Sequence, residues 1–254
     1  MTESGLIIRE VESPADLKAF IRVPWAVYGD DPNWVPPLLA ERRDALSEKN
    51  PFFSHARWKA WIAWRNGEAV GRISAQVDDY HLDQHDPETG FFGLAEGIDD
   101  EKVFRALFQA AEDWLREQGM KRVVGPFNLN INQEIGLLIE GFESPPYIMM
   151  GHARPYHGNH IADLGYRKAK DVLAYEIEQV KFSLPDNIRR LLERLSGTLS
   201  VRQVDRKNKA EELEAMRQVF NDAWSGNWGF LPFSREEFQA VGKELFMIVP
   251  KDYS

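Results

Sequence analysis

Two β-rich runs, Ala56 to Trp64 and Ala69 to Val77, face each other across the dipeptide Asn66-Gly67. A type I′ turn requires positive φ at both central residues, and Asn-Gly meets that requirement at low steric cost. The pattern predicts an antiparallel hairpin turning at 66–67, so the fold must be built around a sheet. Side chains alternate along a strand, which puts Trp58 and Trp64 on one face and Trp61 on the other. Both faces of this strand carry a large apolar group to bury.

The flanking segments supply the rest of the architecture. Leu6 to Val11 reads as a first strand. Ser13 is placed to cap a helix that Pro14 opens and that runs through Leu17, Phe20 and Ile21 toward Val27. Gly29 to Pro37 is a turn-rich break, and Leu38 to Leu46 reads as a second helix. After the hairpin, His81 to Thr89 is polar and is expected to be a loop, followed by a strand over Gly90 to Ala95. From Asp99 the apolar positions Val103, Leu107, Ala110, Ala111, Trp114 and Leu115 recur at helical spacing, and Gly119 is a helix stop. Arg122 to Phe127 reads as a strand, Glu134 to Glu140 as a short helix, Ile161 to Leu164 as the last turn of a helix, and Val172 to Val180 as a closing strand. This order predicts an α/β (α+β) fold with a mixed, mainly antiparallel sheet flanked by helices over residues 1–182.

The chain then starts again. Past an amphipathic helix at Ile188 to Leu195, Val201-Arg202-Gln203-Val204 echoes Ile8-Arg9-Glu10-Val11, Glu212-Leu213 echoes Asp16-Leu17, and Asn227-Trp228 echoes Asn33-Trp34, at a nearly constant offset. Matches in register are the signature of an internal duplication. Residues 183–254 are therefore expected to be a linker helix and the start of a second, incomplete half. Its apolar stripe of Leu213, Met216, Val219, Phe220 and Ala223 would pack on the first half or on another chain, so self-association through this piece is an expectation.

Composition excludes several classes of function. With 31 Lys and Arg against 40 Asp and Glu, the formal charge is -9. A nucleic-acid binder carries a basic surplus or stripe, and neither is present. The chain has no Cys, which removes disulfides, thiolate nucleophiles and Cys-ligated zinc and fits a reducing compartment. The N-terminus lacks the charged and apolar regions of a signal peptide, and apolar runs such as Ile135 to Ile139 are far shorter than the ~20 residues of a membrane span. A cytoplasmic location is expected. His152, His157 and His160 follow no zinc-ligand spacing, so no metal is expected.

Gly90-Phe91-Phe92-Gly93 leading to Asp99-Asp100, then a helix carrying Ala111-Glu112-Asp113-Trp114-Leu115, resembles the central strand and following helix of the GNAT (N-acetyltransferase) superfamily. Tyr156 to Tyr166, ending Asp163-Leu164-Gly165-Tyr166, resembles the stretch before that family's closing strand. Gly125-Pro126-Phe127-Asn128-Leu129-Asn130-Ile131-Asn132-Gln133-Glu134-Ile135-Gly136-Leu137-Leu138, with Gly141-Phe142 and Pro145-Pro146 after it, is similar to a bacterial subfamily built of two such halves, which includes proteins implicated in ceramide synthesis. The resemblance implies transfer of an acyl group from acyl-CoA or acetyl-CoA to an amine, with a small-molecule or lipid amine, even a sphingoid amine, as acceptor.

The residues bear on that chemistry in different ways. Asn128, Asn130 and Asn132 alternate after a strand, so as substrate ligands they would share a face, and as turn residues they would cap the next segment. Gly136 closes this segment. Glu134 is a candidate base for an ammonium nucleophile. The resemblance makes Glu96, at the end of the central strand, a second candidate base, and Tyr156 a candidate acid for the leaving thiolate, with Tyr147 as a further candidate near the substrate. Against this, Glu96-Gly97-Ile98-Asp99-Asp100-Glu101 has four carboxylates and one Gly where the family's helix start holds a pyrophosphate. Those charges repel such a group, which leaves two readings: an N-acyltransferase, or a non-catalytic module that kept the fold and lost its coenzyme site.

Overall fold

A computed structural model describes residues 5–176, 183–198 and 202–250. Its frame is a five-stranded sheet in the order β1-β2-β3-β4-β5. β1 (Leu6–Glu10), β2 (Ala56–Arg65), β3 (Glu68–Asp78) and β4 (Thr89–Gly97) pair antiparallel in sequence order, and β5 (Arg122–Val124) joins β4 in parallel. Asn66 and Gly67 take φ of 52° and 85°, both in the left-handed region the hairpin requires.

Helices cover both faces. α1 (Pro14–Tyr28) is opened by a capping box between Ser13 and Asp16, with Pro14 in the first turn. It buries Phe20, Ile21, Val23 and Val27 against Ala60, Ile62 and Leu94. α2 (Leu39–Ala45) follows the turn-rich break. On the opposite face α4 (Glu101–Glu117) buries Val103, Phe104, Leu107, Phe108, Ala111, Trp114 and Leu115 against Trp61, Ile73, Ala75, Val77 and Phe92. Each large side chain so removed from water contributes about 1.5–3 kcal/mol. Trp61 meets Trp114 on this side, whereas Trp58 and Trp64 pack on the α1 side, as the alternation predicts.

The structure departs from the sequence reading in several places. Residues 79–84 form a short helix, α3 (Asp79–Gln84), because the Asp78 side chain accepts from Tyr80 N and caps it. Glu134 to Glu140 is not a helix: Ile135 is held by bridges to Phe127 and Met150, and Gly136 takes φ 85°. β5 ends at Val124 rather than Phe127. Val172 to Glu176 form no strand, and 177–180 lie outside the described residues. The expected helical turn before Gly165 belongs to α5 (Pro155–Asp163).

Beyond the sheet come α6 (Asp186–Leu195), α7 (Lys209–Trp224) and α8 (Arg235–Ile248). Arg202 to Val204 form no strand, and Val201 lies outside the described residues. α7, an Asn227-Trp228 turn and α8 do follow one another as α1, Asn33-Trp34 and α2 do. α7 and α8 pack on each other, and α8 reaches the short 3-10 turn Pro51–Ser54 before β2.

Candidate active site

β4 and β5 part company after three residue pairs, Thr89–Arg122, Gly90–Val123 and Phe91–Val124. Past that point β4 continues beside an irregular segment. Phe127 N donates to Phe92 O at 2.8 Å, and a side chain then takes over from backbone: Leu94 N donates to Asn128 Oδ1 at 2.8 Å. The exchange coincides with a bulge, since Arg72 faces Glu96 while Ser74 faces Gly93, and Leu94 carries φ 46°. Gly93 is obligatory here, because a Cβ would lie 1.9 Å from Phe127 O.

The segment that begins this way holds most of the predicted site. Asn128 Nδ2 donates to Glu134 Oε2 at 3.0 Å, and Asn128 N donates to Glu134 O at 2.8 Å. Arg42 of α2 donates to the other carboxylate oxygen, Glu134 Oε1. Glu134 is thus held from both sides with its side chain 23% exposed. Burial disfavours the Arg42 charge, but the carboxylates of Glu134, Glu41 and Glu96 outweigh it and raise its pKa. Glu96 therefore lies within electrostatic reach of the same guanidinium. It is itself paired with Arg72, a buried β3 residue whose Nη1 donates to Phe20 O at 3.0 Å.

Tyr156, at the start of α5, donates to Gly97 O at 2.9 Å, and burial pushes its hydroxyl up to about 12. It stays protonated at neutral pH. His157 Nε2 lies 3.1 Å from the same carbonyl, and burial lowers this imidazole to about 4 despite that bond, so it is neutral. Tyr28 of α1 is buried nearby, its pKa raised by burial and then by the Glu96 charge. Trp25, Asp30, Asp99, Arg154 and Tyr156 line an open cleft of about 670 Å³.

The remaining predicted residues are dispersed. Asn130 is buried, and its Oδ1 accepts from Asn132 N at 3.0 Å. Asn132 Nδ2 donates to Leu231 O at 3.0 Å, which ties the segment to the turn before α8. Gly136 N donates to Pro126 O at 2.9 Å. Tyr147 is 66% exposed, and its hydroxyl donates to Glu176 at 3.3 Å. The three clustered histidines serve separate partners: His152 Nε2 lies 3.0 Å from Asp31, and His160 Nε2 lies 2.7 Å from Asp99.

The start of α4 is occupied by the protein's own carboxylate. Asp100 Oδ1 accepts from Lys102 N at 2.8 Å and Arg65 pairs with Oδ2 at 2.7 Å, while the Asp100 main-chain carbonyl accepts from Val103 N and Phe104 N as in any helix start. These residues do not fit a pyrophosphate, which needs those amides free.

Sequence reasoning missed Arg42 and Arg72. Arg72 left a signal, being the one cation within the apolar run Ala69 to Val77. Arg42 left none, since α2 is charged throughout.

Residues 25–132 match the acetyltransferase (GNAT) family. Over 97% of its length the chain is 45% identical to Protein YghO of Escherichia coli (strain K12), covering 63% of that protein. Over 98% of its length it is 42% identical to the bacterial ceramide synthase of Caulobacter vibrioides (strain NA1000 / CB15N), covering 65%. The chain thus spans somewhat less than two thirds of these relatives. Among solved structures, the aminoglycoside N-acetyltransferase AAC(6')-Iy in complex with CoA aligns with 69% of this chain and 96% of its own at 14% identity, with a TM-score of 0.41.

Proposed function

We propose that this chain, whose residues 25–132 match the acetyltransferase (GNAT) family, serves in transfer of an acyl group from an acyl-CoA or acetyl-CoA thioester to an amine. The relative named as a bacterial ceramide synthase supports a lipid amine, such as a sphingoid amine, as the acceptor. The observation that carries the reading is the Glu134 carboxylate, fixed by Arg42 and Asn128 yet open to solvent where β4 runs on without β5.

In this reading Glu134 removes one proton from the ammonium and passes it to solvent. The freed amine nitrogen attacks the thioester carbonyl carbon. The tetrahedral intermediate collapses with cleavage of the C–S bond, and the second nitrogen proton leaves with the thiolate as free thiol. Tyr156, protonated at neutral pH, is the residue proposed to relay it, handing its own proton to that sulfur and taking up the nitrogen proton in exchange. Asn130, Asn132, Gly136 and Tyr147 are proposed to line the acceptor's path, and Glu96 to fix the charge of Arg42 and Arg72 nearby. The α4 start, which Asp100 fills, is not open to the nucleotide end of the donor.

Because the chain contains no Cys, release of free thiol from acyl-CoA reports the reaction without background. Amine-dependent thiol release is expected, reduced about 100-fold or more in Glu134→Gln, the scale of a general base. An unchanged rate in that variant would remove Glu134 from the mechanism. A second reading, a binding module without catalysis, is favoured by Asp100 at the α4 amides and by Glu96 committed to Arg72. Saturable acyl-CoA binding without thiol release in the presence of amines would select it.

A further inference from the structure

A second cavity of about 240 Å³ lies toward the start of β4, enclosed by α3, the starts of β4 and β5, the 127–131 segment and residues 228–231. Phe91, on its wall, is six residues from Gly97, roughly 20 Å along the strand. The cavity is small beside the roughly 300–1,000 Å³ of drug-sized sites.

Phe91, Phe127 and Trp228 give it an aromatic side, and most of the other lining residues are polar. Phe127 stands 4.8 Å from Phe91 and 6.2 Å from Trp228 between ring centroids. Asp78 also lines it and is fully buried, 0% exposed. Its Oδ1 accepts from Tyr80 N at 3.0 Å and lies 3.0 Å from His55 Nδ1. Its Oδ2 has no hydrogen-bond partner among the described residues. A buried carboxylate oxygen without a donor is costly, and here that oxygen belongs to a residue of a cavity wall.

Charge decides what fits. His55 is shared by two carboxylates, since its Nε2 lies 3.2 Å from Glu237, so this trio retains one negative charge. Arg122 on the rim is matched by Asp86 at 2.8 Å. His85 Nε2 lies 2.7 Å from Phe230 O, which assigns the proton to that nitrogen. His81 is kept neutral by burial and by its neighbour His85.

We propose that this cavity binds a small organic ammonium, its N–H donating to Asp78 Oδ2 and its apolar body resting on Phe91, Phe127 and Trp228. Aromatic faces and a buried carboxylate are the two groups that recognise such a cation. The assignment rests on Asp78 and these rings rather than on the acyl-transfer reading, and the cavity shares Asn130 with the proposed acceptor path.

Calorimetric titration of the whole chain with phenethylammonium tests it, with phenethyl alcohol and 3-phenylpropionate as neutral and anionic counterparts. The ammonium is expected to bind at millimolar concentration or below. The counterparts should bind at least about tenfold more weakly, the scale of one charge-assisted hydrogen bond. Asp78→Asn should weaken the ammonium by a similar factor. Trp228→Ala, at a half-exposed position outside the His55 network, should also weaken it, and decides the matter if the Asp78 variant fails to fold. Absence of ammonium binding, equal binding of the alcohol or carboxylate, or wild-type affinity in Trp228→Ala would overturn the assignment.

Discussion

Arg72 and Glu96 illustrate how single residues govern this molecule. Arg72 is 5% exposed within a strand whose other residues are largely apolar, so its charge is tolerable only because Glu96 and Phe20 O satisfy it and the Phe20 ring lies 4.9 Å away. Removing one member of such a pair strands the other in a region of low dielectric, at a cost of ~3–5 kcal/mol. Arg72→Met is therefore expected to lower unfolding free energy by about that amount. The double variant Arg72→Met/Glu96→Gln should lose less than Arg72→Met alone, as measured by urea titration. If the double variant loses more than either single change, the pair is not coupled as described. Asn128 is tested in the same way. Its Oδ1 serves Leu94 N and its Nδ2 serves Glu134, so Asn128→Ala leaves a buried N–H unpaired. A loss of about 1–3 kcal/mol is expected, within the range for an orphaned buried donor.

Among elements, the parting of β4 from β5 sets where the candidate site lies. Gly93 allows the 125–129 segment to press against β4, and Gly93→Ala is expected to cost toward the upper end of ~1–3 kcal/mol, since the clash is with backbone that has nowhere to move. A wild-type melting temperature in that variant would show that the segment moves freely. Regular elements were legible because their causes are local. Asn66-Gly67 dictated the hairpin, Ser13-Pro14 opened α1, and the spacing of Val103, Leu107 and Trp114 marked α4. The 125–150 segment was not legible as structure, because its partners are distant: Phe92, Arg42, Gln76 and Leu231 hold it. Local propensity suggested a helix at Glu134, and non-local pairing of Ile135 overrode it. α3 is not legible in the sequence because its six residues carry no periodicity, only a cap. The candidate residues were legible as residue types, but the arginines that hold two of them came from elements read for other reasons.

For the whole molecule, the contact between α8 and the sheet is electrostatic at its centre. His55 is buried between Asp78 and Glu237 and stacks on Tyr80 at 3.9 Å. Burial alone would lower its pKa, but hydrogen bonds to Asp78 and then Glu237 reverse this and lift it to about 9. The folded value exceeds the unfolded one, so this stabilisation is full below about pH 6.5 and fades as pH rises through about 9. Glu237 behaves oppositely: burial opposes its charge, but bonds to His55 and Ser234 outweigh that and lower its pKa, so its contribution is present above its ordinary value and lost on acidification. The chain should therefore show a stability maximum in weak acid that declines above neutrality, and His55→Gln should flatten the alkaline decline. A thermal-melt series across pH reads both, and an alkaline limb unaltered by the substitution would assign the decline elsewhere. The long reach of this contact also has a consequence in time. Glu237 follows His55 by 182 residues, and ribosomes add about 5–20 residues per second. A nascent chain therefore waits roughly 10–40 s with its histidine already made and the second carboxylate still untranslated, and for most of that interval the groove awaiting α8 is open to whatever holds emerging polypeptides in the cell.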